Sequence, residues 1–155
     1  MRLCGFTFSS DWQITPALIV TFVVFLCGAM AEELGYTGYA TPALLRRVSP
    51  VGAGLILGVP WALWHLPSMI AVGQPIGLVL WGLAATIAIR VIYVLIYARG
   101  GGSLFAIVLL HALLNTGRSA FPGGRAGYEM GDAAIGYGLI IVLALAVIAV
   151  DKRAR

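Results

Sequence analysis

Four ionisable side chains lie inside or directly after apolar stretches of the chain. Glu32 and Glu33 follow a hydrophobic run from Ile14 to Ala31, and the two histidines, His65 and His111, lie within two further runs. An ionisable side chain in a membrane span costs free energy and usually marks a functional site. Two carboxylates in a low-dielectric site do not both ionise cheaply, which suits one of them to act as a general base. These residues therefore predict a reactive site built from three spans.

The spacing of these residues predicts where their side chains point. Neighbouring residues on a helix point about 100° apart, so one glutamate can face a central cavity while the other faces an adjacent helix. Trp61 and His65 are four residues apart and share a helix face, as do His111 and Asn115. The ring of Trp61 can orient the imidazole of His65. Histidine and asparagine together can donate hydrogen bonds to one developing oxyanion.

Each of these features also has a simpler structural explanation. Acids at a helix end are solvated at the membrane interface, and tryptophans such as Trp61 form belts there. His111 and Asn115 are residue types that join membrane helices by hydrogen bonds. These explanations do not account for His65, nor for the apolar run that continues past the glutamates to Ala43. A functional site is therefore the preferred interpretation.

The composition indicates a membrane protein with a single domain, residues 1–155. Of its 155 residues, 61% are hydrophobic and 10% are charged, whereas soluble domains carry about 25% charged residues. Strict alternation of apolar and polar residues is absent, which argues against a β-barrel. The predicted fold is all-α, a polytopic helical membrane bundle of about five transmembrane helices, since about 20 apolar residues span a bilayer. The five segments are residues 14–40, 51–72, 76–97, 103–120 and 133–150.

Glycine and proline predict how these helices end and pack. Pro42 predicts that the first helix ends near Ala40 or at Pro42 itself. Gly54 and Gly58 form a GxxxG pair, which favours close packing against another helix. The glycine-rich stretch 118–132 is predicted to be a long exposed loop.

The basic residues are distributed unevenly between the two ends of such a bundle. The six on one side are Arg46, Arg47, Arg99, Lys152, Arg153 and Arg155, and the three on the other are Arg2, Arg118 and Arg125. The positive-inside rule then places the C-terminus in the cytoplasm. Helical rise counted from that side predicts that the site residues share a cavity open to the cytoplasm. The expected location is the cell membrane, as a multi-pass protein.

In this order along the chain, the motifs EE, WxxxH and HxxxN resemble the CPBP family of intramembrane proteases. That family includes the type II CAAX prenyl proteases and the ABI or bacteriocin-processing-like proteins, and its signature is EExxxR, FxxxH and HxxxN on successive membrane helices. The resemblance covers residues 32–116. It implies a helical membrane fold and hydrolysis of a peptide bond within the membrane.

Two positions depart from the family signature. Thr37 stands where the signature has an arginine, and Trp61 stands where it has a phenylalanine. Arg90 lies within the third apolar segment, where an arginine must find a partner or extend to the interface. Our hypothesis is that Arg90 supplies the cation that is missing at position 37.

The resemblance implies a role for each motif residue. Glu32 is expected to be the base that activates water, with Glu33 assisting it or pairing structurally. His65 is expected to help activate or polarise the water, and His111 and Asn115 to stabilise the oxyanion. No serine or cysteine with a base partner belongs to this set, so a covalent intermediate is not expected.

The expected cofactor is none, and the expected partners are membrane lipid and a membrane-associated or lipidated peptide or protein substrate. The HExxH zinc motif is absent. If zinc were bound, its ligands would be Glu32, Glu33, His65 and His111. No stripe of basic and aromatic residues indicates a nucleic acid partner.

Two functions of other classes are alternatives to proteolysis. A non-enzymatic immunity or scaffold protein would keep the same fold without the reaction. A proton-coupled transporter would use glutamate and histidine as a proton path, although no inverted repeat is visible and five spans are few.

Overall fold

The computed structural model describes residues 2–3, 6–7, 16–71, 73–119 and 130–153. Nearly all of these residues are helical, because long apolar segments in a membrane satisfy their backbone hydrogen bonds internally as helices. The helices are α1 (Pro16–Glu33), a π-helical segment (Leu34–Ala40), α2 (Thr41–Leu45), α3 (Pro50–Ala71), α4 (Ile76–Arg99), α5 (Leu104–Ser119) and α6 (Met130–Arg153). Two short strands, β1 (Arg2–Leu3) and β2 (Phe6–Thr7), pair antiparallel.

The prediction of an all-α membrane bundle is confirmed. Three helical stretches in the described ranges are long and apolar enough to cross a membrane, namely Pro16–Leu45, Pro50–Ala71 and Ile76–Arg99. Two further apolar helices, Leu104–Ser119 and Gly136–Val150, are shorter. Together they correspond to the five apolar segments of the sequence.

The first helical stretch is longer than predicted. It passes through the π-helical segment and α2 and ends at Leu45, not near Ala40 or Pro42. Pro42 is tolerated because it lies in the first turn of α2, where its missing N–H is not needed. Of the loop predicted over 118–132, residues 120–129 lie outside the described ranges, and α5 continues to Ser119.

Helix packing brings α3 against α4, α1 against α5, and α6 against α4. The predicted close packing at Gly54 and Gly58 is confirmed. A Cβ atom at Gly54 would lie 2.6 Å from the Cα of Val91, and one at Gly58 would lie 3.2 Å from the Cα of Ile87. Side chains at these positions would push α3 away from α4, the helix that carries Arg90.

Candidate active site

The two glutamates at the end of α1 face different surroundings. Glu33 is fully buried, whereas Glu32 is partly exposed and lines a cavity of about 280 Å³. This is the division that the 100° helical offset predicts.

The carboxylate of Glu33 is held by three other elements of the site. Arg90 on α4 donates from Nη1 to Oε2 at 2.7 Å and from Nη2 to Oε1 at 3.0 Å, and both side chains are fully buried. The hydroxyl of Thr37 donates to Oε2, and Nδ1 of His111 lies 2.9 Å from Oε1. A bidentate arginine is the geometry that best compensates a buried carboxylate. Glu33 therefore fixes the relative positions of α1, α4 and α5.

We hypothesised that Arg90 replaces the arginine that is missing at position 37. The ion pair of Arg90 with Glu33 is the contact that this hypothesis requires. Position 37 is occupied by a buried threonine, whose Oγ1 lies 3.5 Å from Nη1 of Arg90. The guanidinium carbon lies 4.0 Å from the centre of the Trp61 ring, 4.8 Å from that of Tyr36 and 5.3 Å from that of Tyr93. Such ring contacts stabilise a desolvated cation. The positive charge beside Glu33 therefore comes from α4 in this chain.

Trp61 has a role that its sequence position did not reveal. Its indole Nε1–H donates to Oε2 of Glu32 at 2.7 Å, which leaves Oε1 of that carboxylate for other partners. A phenylalanine, as in the family signature, has no N–H and could not make this bond. The sequence shows that Trp61 has an N–H donor. It does not show the acceptor, because Glu32 lies 29 residues away along the chain.

Both histidines are oriented through Nδ1. Nδ1 of His65 lies 2.8 Å from the backbone carbonyl oxygen of Trp61, which only accepts hydrogen bonds, so this nitrogen carries the proton. The ion-paired carboxylate of Glu33 is likewise an acceptor, so Nδ1 of His111 also donates. In neutral histidine Nε2 is then an acceptor. His65 and His111 both line the cavity, and Nε2 is the ring nitrogen that each has available for substrate or water.

The cavity brings together four of the five predicted catalytic residues. Glu32, His65, His111 and Asn115 line it, together with Trp61, whereas Glu33 lies behind its wall. These residues come from α1, α3 and α5. The arrangement can place an acid or base, two imidazoles and an amide around one bound molecule.

The cavity runs from a buried end to a more exposed end, near the C-terminal ends of α3 and α5. Trp61 and His111 are buried at its closed end, whereas Ser68, Gln74 and Arg118 line its other end and are more exposed. α6 begins at this same end, because Tyr137 lies beside Arg118.

The C-terminal end of α6 therefore lies at the opposite end of the bundle from Ser68, Gln74 and Arg118. α6 has 24 residues, about 36 Å at 1.5 Å per residue. The sequence-based expectation of a C-terminus and a cavity both on the cytoplasmic side stays a prediction, because exposed residues such as Gly28 and Leu114 also line the cavity between its two ends.

Glu32 also borders a second, mostly apolar groove of about 430 Å³. The groove runs between the π-helical segment and α3, and Tyr36, Leu57 and Trp64 contribute to its walls. Trp64 is 73% exposed, as expected for a side chain that faces lipid. Glu32 is thus bordered both by the cavity that holds the polar site residues and by an apolar groove.

The residues that would bind zinc are not arranged as a metal site. Within the described ranges, no group of three or more His, Cys, Asp or Glu side chains is placed to hold a metal ion. Both oxygens of Glu33 are already bonded, to Arg90 and His111 among others, and Nδ1 of His65 is bonded to the backbone. The four candidate ligands do not fit a zinc ion in this arrangement.

Comparison with known proteins shows the family of this chain. The model of the type II CAAX prenyl endopeptidase Rce1-like family matches residues 14–117. The protein "CAAX prenyl protease 2" of Methanococcus maripaludis is 41% identical over 63 residues, which is 41% of this chain and 21% of that protein. The match thus spans about a fifth of the relative's length. Because the family match covers more than half of the chain, this protein belongs to the Rce1-like family of type II CAAX prenyl endopeptidases.

Proposed function

We propose that this protein is an intramembrane endopeptidase that hydrolyses a peptide bond with water activated by Glu32. The observation that carries the proposal is the convergence of Glu32, His65, His111 and Asn115 on one cavity between membrane helices. Membership of the CAAX endopeptidase family supports the same reaction.

The proposed reaction begins with a water molecule beside Glu32. Oε2 of this carboxylate accepts from Trp61, so Oε1 takes the proton while the water oxygen attacks the substrate carbonyl carbon. His65 orients the water through Nε2. When the intermediate collapses, the C–N bond breaks and Glu32 returns the proton to the leaving amine, which restores the carboxylate.

The negative charge on the carbonyl oxygen needs hydrogen-bond donors during this step. Asn115 supplies an amide N–H. His111 supplies a second donor when Nε2 carries a proton, and its Nδ1 stays bonded to the carboxylate of Glu33. Loss of one such donor typically lowers the rate by about 10²–10³-fold.

The proposed substrate is a membrane-associated or lipidated peptide or protein. The cavity offers polar groups for a peptide bond, and the apolar groove that Glu32 also borders offers a surface for a hydrocarbon chain or an apolar side chain. A relative that is called a CAAX prenyl protease supports this class of substrate.

A substrate-trapping experiment tests the proposal. In cells that carry Glu32→Ala or His111→Ala in place of the wild type, we expect a membrane-associated protein to accumulate uncleaved. The purified wild-type protein in liposomes should cleave that protein, and the two variants should not. Wild-type cleavage by both variants contradicts the proposal and leaves a scaffold or immunity role as the better interpretation.

We further propose that the reaction needs no metal ion. The support is the ion pair that already occupies Glu33 and the poor fit of the four candidate ligands. We expect purified, active protein to contain well under one equivalent of zinc by elemental analysis, and to keep its activity after treatment with a chelator. Activity that is lost with chelator and restored by added zinc would contradict this.

We propose that the C-terminal end of the bundle, where Ser103 also lies, faces the cytoplasm. The positive-inside rule supports a cytoplasmic location for the bundle end with more basic residues, and Gln74 lies at the other end. In a variant lacking Cys4 and Cys27, a membrane-impermeant maleimide should label Gln74→Cys in intact cells. Ser103→Cys, at the opposite end, should react only after permeabilisation. The reverse pattern would place the C-terminal end of the bundle outside the cytoplasm.

A further inference from the structure

Tyr93 on α4 carries a buried hydroxyl that the proposed reaction does not yet use. The residue is 1% exposed, and among the described residues no group is within hydrogen-bonding distance of its oxygen. A buried tyrosine hydroxyl usually has a partner, because an unmade hydrogen bond in a desolvated site costs free energy. The missing partner therefore needs an explanation.

Packing alone does not explain why Tyr93 carries an unpaired hydroxyl. Tyr93 belongs to an apolar cluster with Trp61 and Ile107. A phenylalanine would fill this position with the same ring and would leave no polar atom unpaired. The ring explains the core contacts, but it does not explain the hydroxyl.

The position of Tyr93 links it to the closed end of the cavity. Its ring centre lies 6.1 Å from that of Trp61, which binds Glu32, and 5.9 Å from that of His111, which binds Glu33. Tyr93 also lines the cavity itself. It therefore lies next to the side chains that orient both glutamates.

Most other donors near the closed end are already used. The indole N–H of Trp61 is bonded to Glu32, and the Nδ1–H groups of His65 and His111 are bonded to fixed acceptors. Among the described residues that line this end, Asn115 and Tyr93 are left with polar hydrogens that have no such partner. Because the hydroxyl of Tyr93 is buried, it reaches a substrate oxygen when its side chain turns toward the cavity that this residue already lines.

We propose that Tyr93 is a further catalytic residue, whose hydroxyl donates a hydrogen bond to the substrate carbonyl oxygen in the tetrahedral intermediate. Tyr93 transfers no proton in this step and acts beside Asn115 as a second neutral donor. This inference rests on the proposed peptidase function.

The test compares Tyr93→Phe with the wild type in liposomes, using the substrate found by trapping. We expect kcat to fall by about 10²-fold, at the lower end of the range for an oxyanion donor, while KM stays within about twofold. Thermal stability should be unchanged or higher, because the substitution removes an unpaired hydroxyl. Binding of a phosphinate peptide, which mimics the tetrahedral intermediate, should weaken by a similar factor.

The matched control is Tyr97→Phe, the same change one turn later on α4. Tyr97 does not line the cavity, so kcat and phosphinate binding should stay at wild-type values. Wild-type kcat in Tyr93→Phe overturns the inference, and so does a loss of activity that comes with a matching loss of stability. An inactive wild type would instead show that the peptidase proposal itself is wrong.

Discussion

Glu32→Gln is expected to lower kcat by about 10²–10⁴-fold, the usual contribution of a general base. Glutamine has the same shape as glutamate and keeps an oxygen that accepts from the indole of Trp61. Its amide does not take a proton from water at neutral pH. The protein should therefore stay folded while hydrolysis is lost, and kcat together with the thermal unfolding temperature of the purified protein measures both.

The control for this prediction is Thr21→Val on the same helix. Thr21 bonds only to the backbone carbonyl of Ala17 one turn earlier and does not line the cavity. Its replacement should change neither kcat nor stability by a measurable amount. If Glu32→Gln retains most of the wild-type kcat, Glu32 is not the base, and a role for His65 in activating water becomes the better mechanism.

Arg90→Met is expected to destabilise the protein by about 3–5 kcal/mol, since removal of one partner leaves a buried charge uncompensated. The pair joins α1 to α4 across 57 residues of sequence, and both side chains are fully buried. Activity should fall as well, because Glu33 also holds His111. Unfolding of the purified protein by SDS in mixed micelles measures the change in free energy of unfolding.

The double variant Arg90→Met with Glu33→Gln separates charge from packing. It removes both members of the pair, so it should be more stable than Arg90→Met alone. Arg47→Gln, at an exposed position beyond α2, is the control for loss of one arginine and should have no measurable effect. If Arg90→Met leaves stability and activity unchanged, Arg90 does not compensate the glutamate.

Local patterns were sufficient to predict the helices and the list of site candidates. Long apolar segments in a chain with few charges can satisfy their backbone groups only as helices, and the described helices follow these segments to within a few residues, apart from the longer first stretch. The four-residue spacing in the WxxxH and HxxxN motifs placed each pair on one face. Glu33 and Glu32 were expected to face different surroundings for the same geometric reason.

Contacts between distant parts of the chain could not be predicted from these local patterns. The hydrogen bond from Trp61 to Glu32 and the ion pair from Arg90 to Glu33 depend on how far each helix slides along its neighbour. For α3 and α4 that register depends on close approach at Gly54 and Gly58. A substitution from phenylalanine to tryptophan looks mild in the sequence, yet it adds the donor that orients the presumed base.

By itself, the sequence determined that this is a helical membrane protein of the CAAX endopeptidase family, and it gave five polar residues in apolar surroundings as the candidate site. Only the tertiary structure decided which glutamate is buried and which lines the cavity, and that Arg90 lies beside Glu33. The physical reason is that helix formation depends on apolar length and local spacing. The environment of each buried charge depends instead on side chains from three or four helices that meet only when the bundle packs.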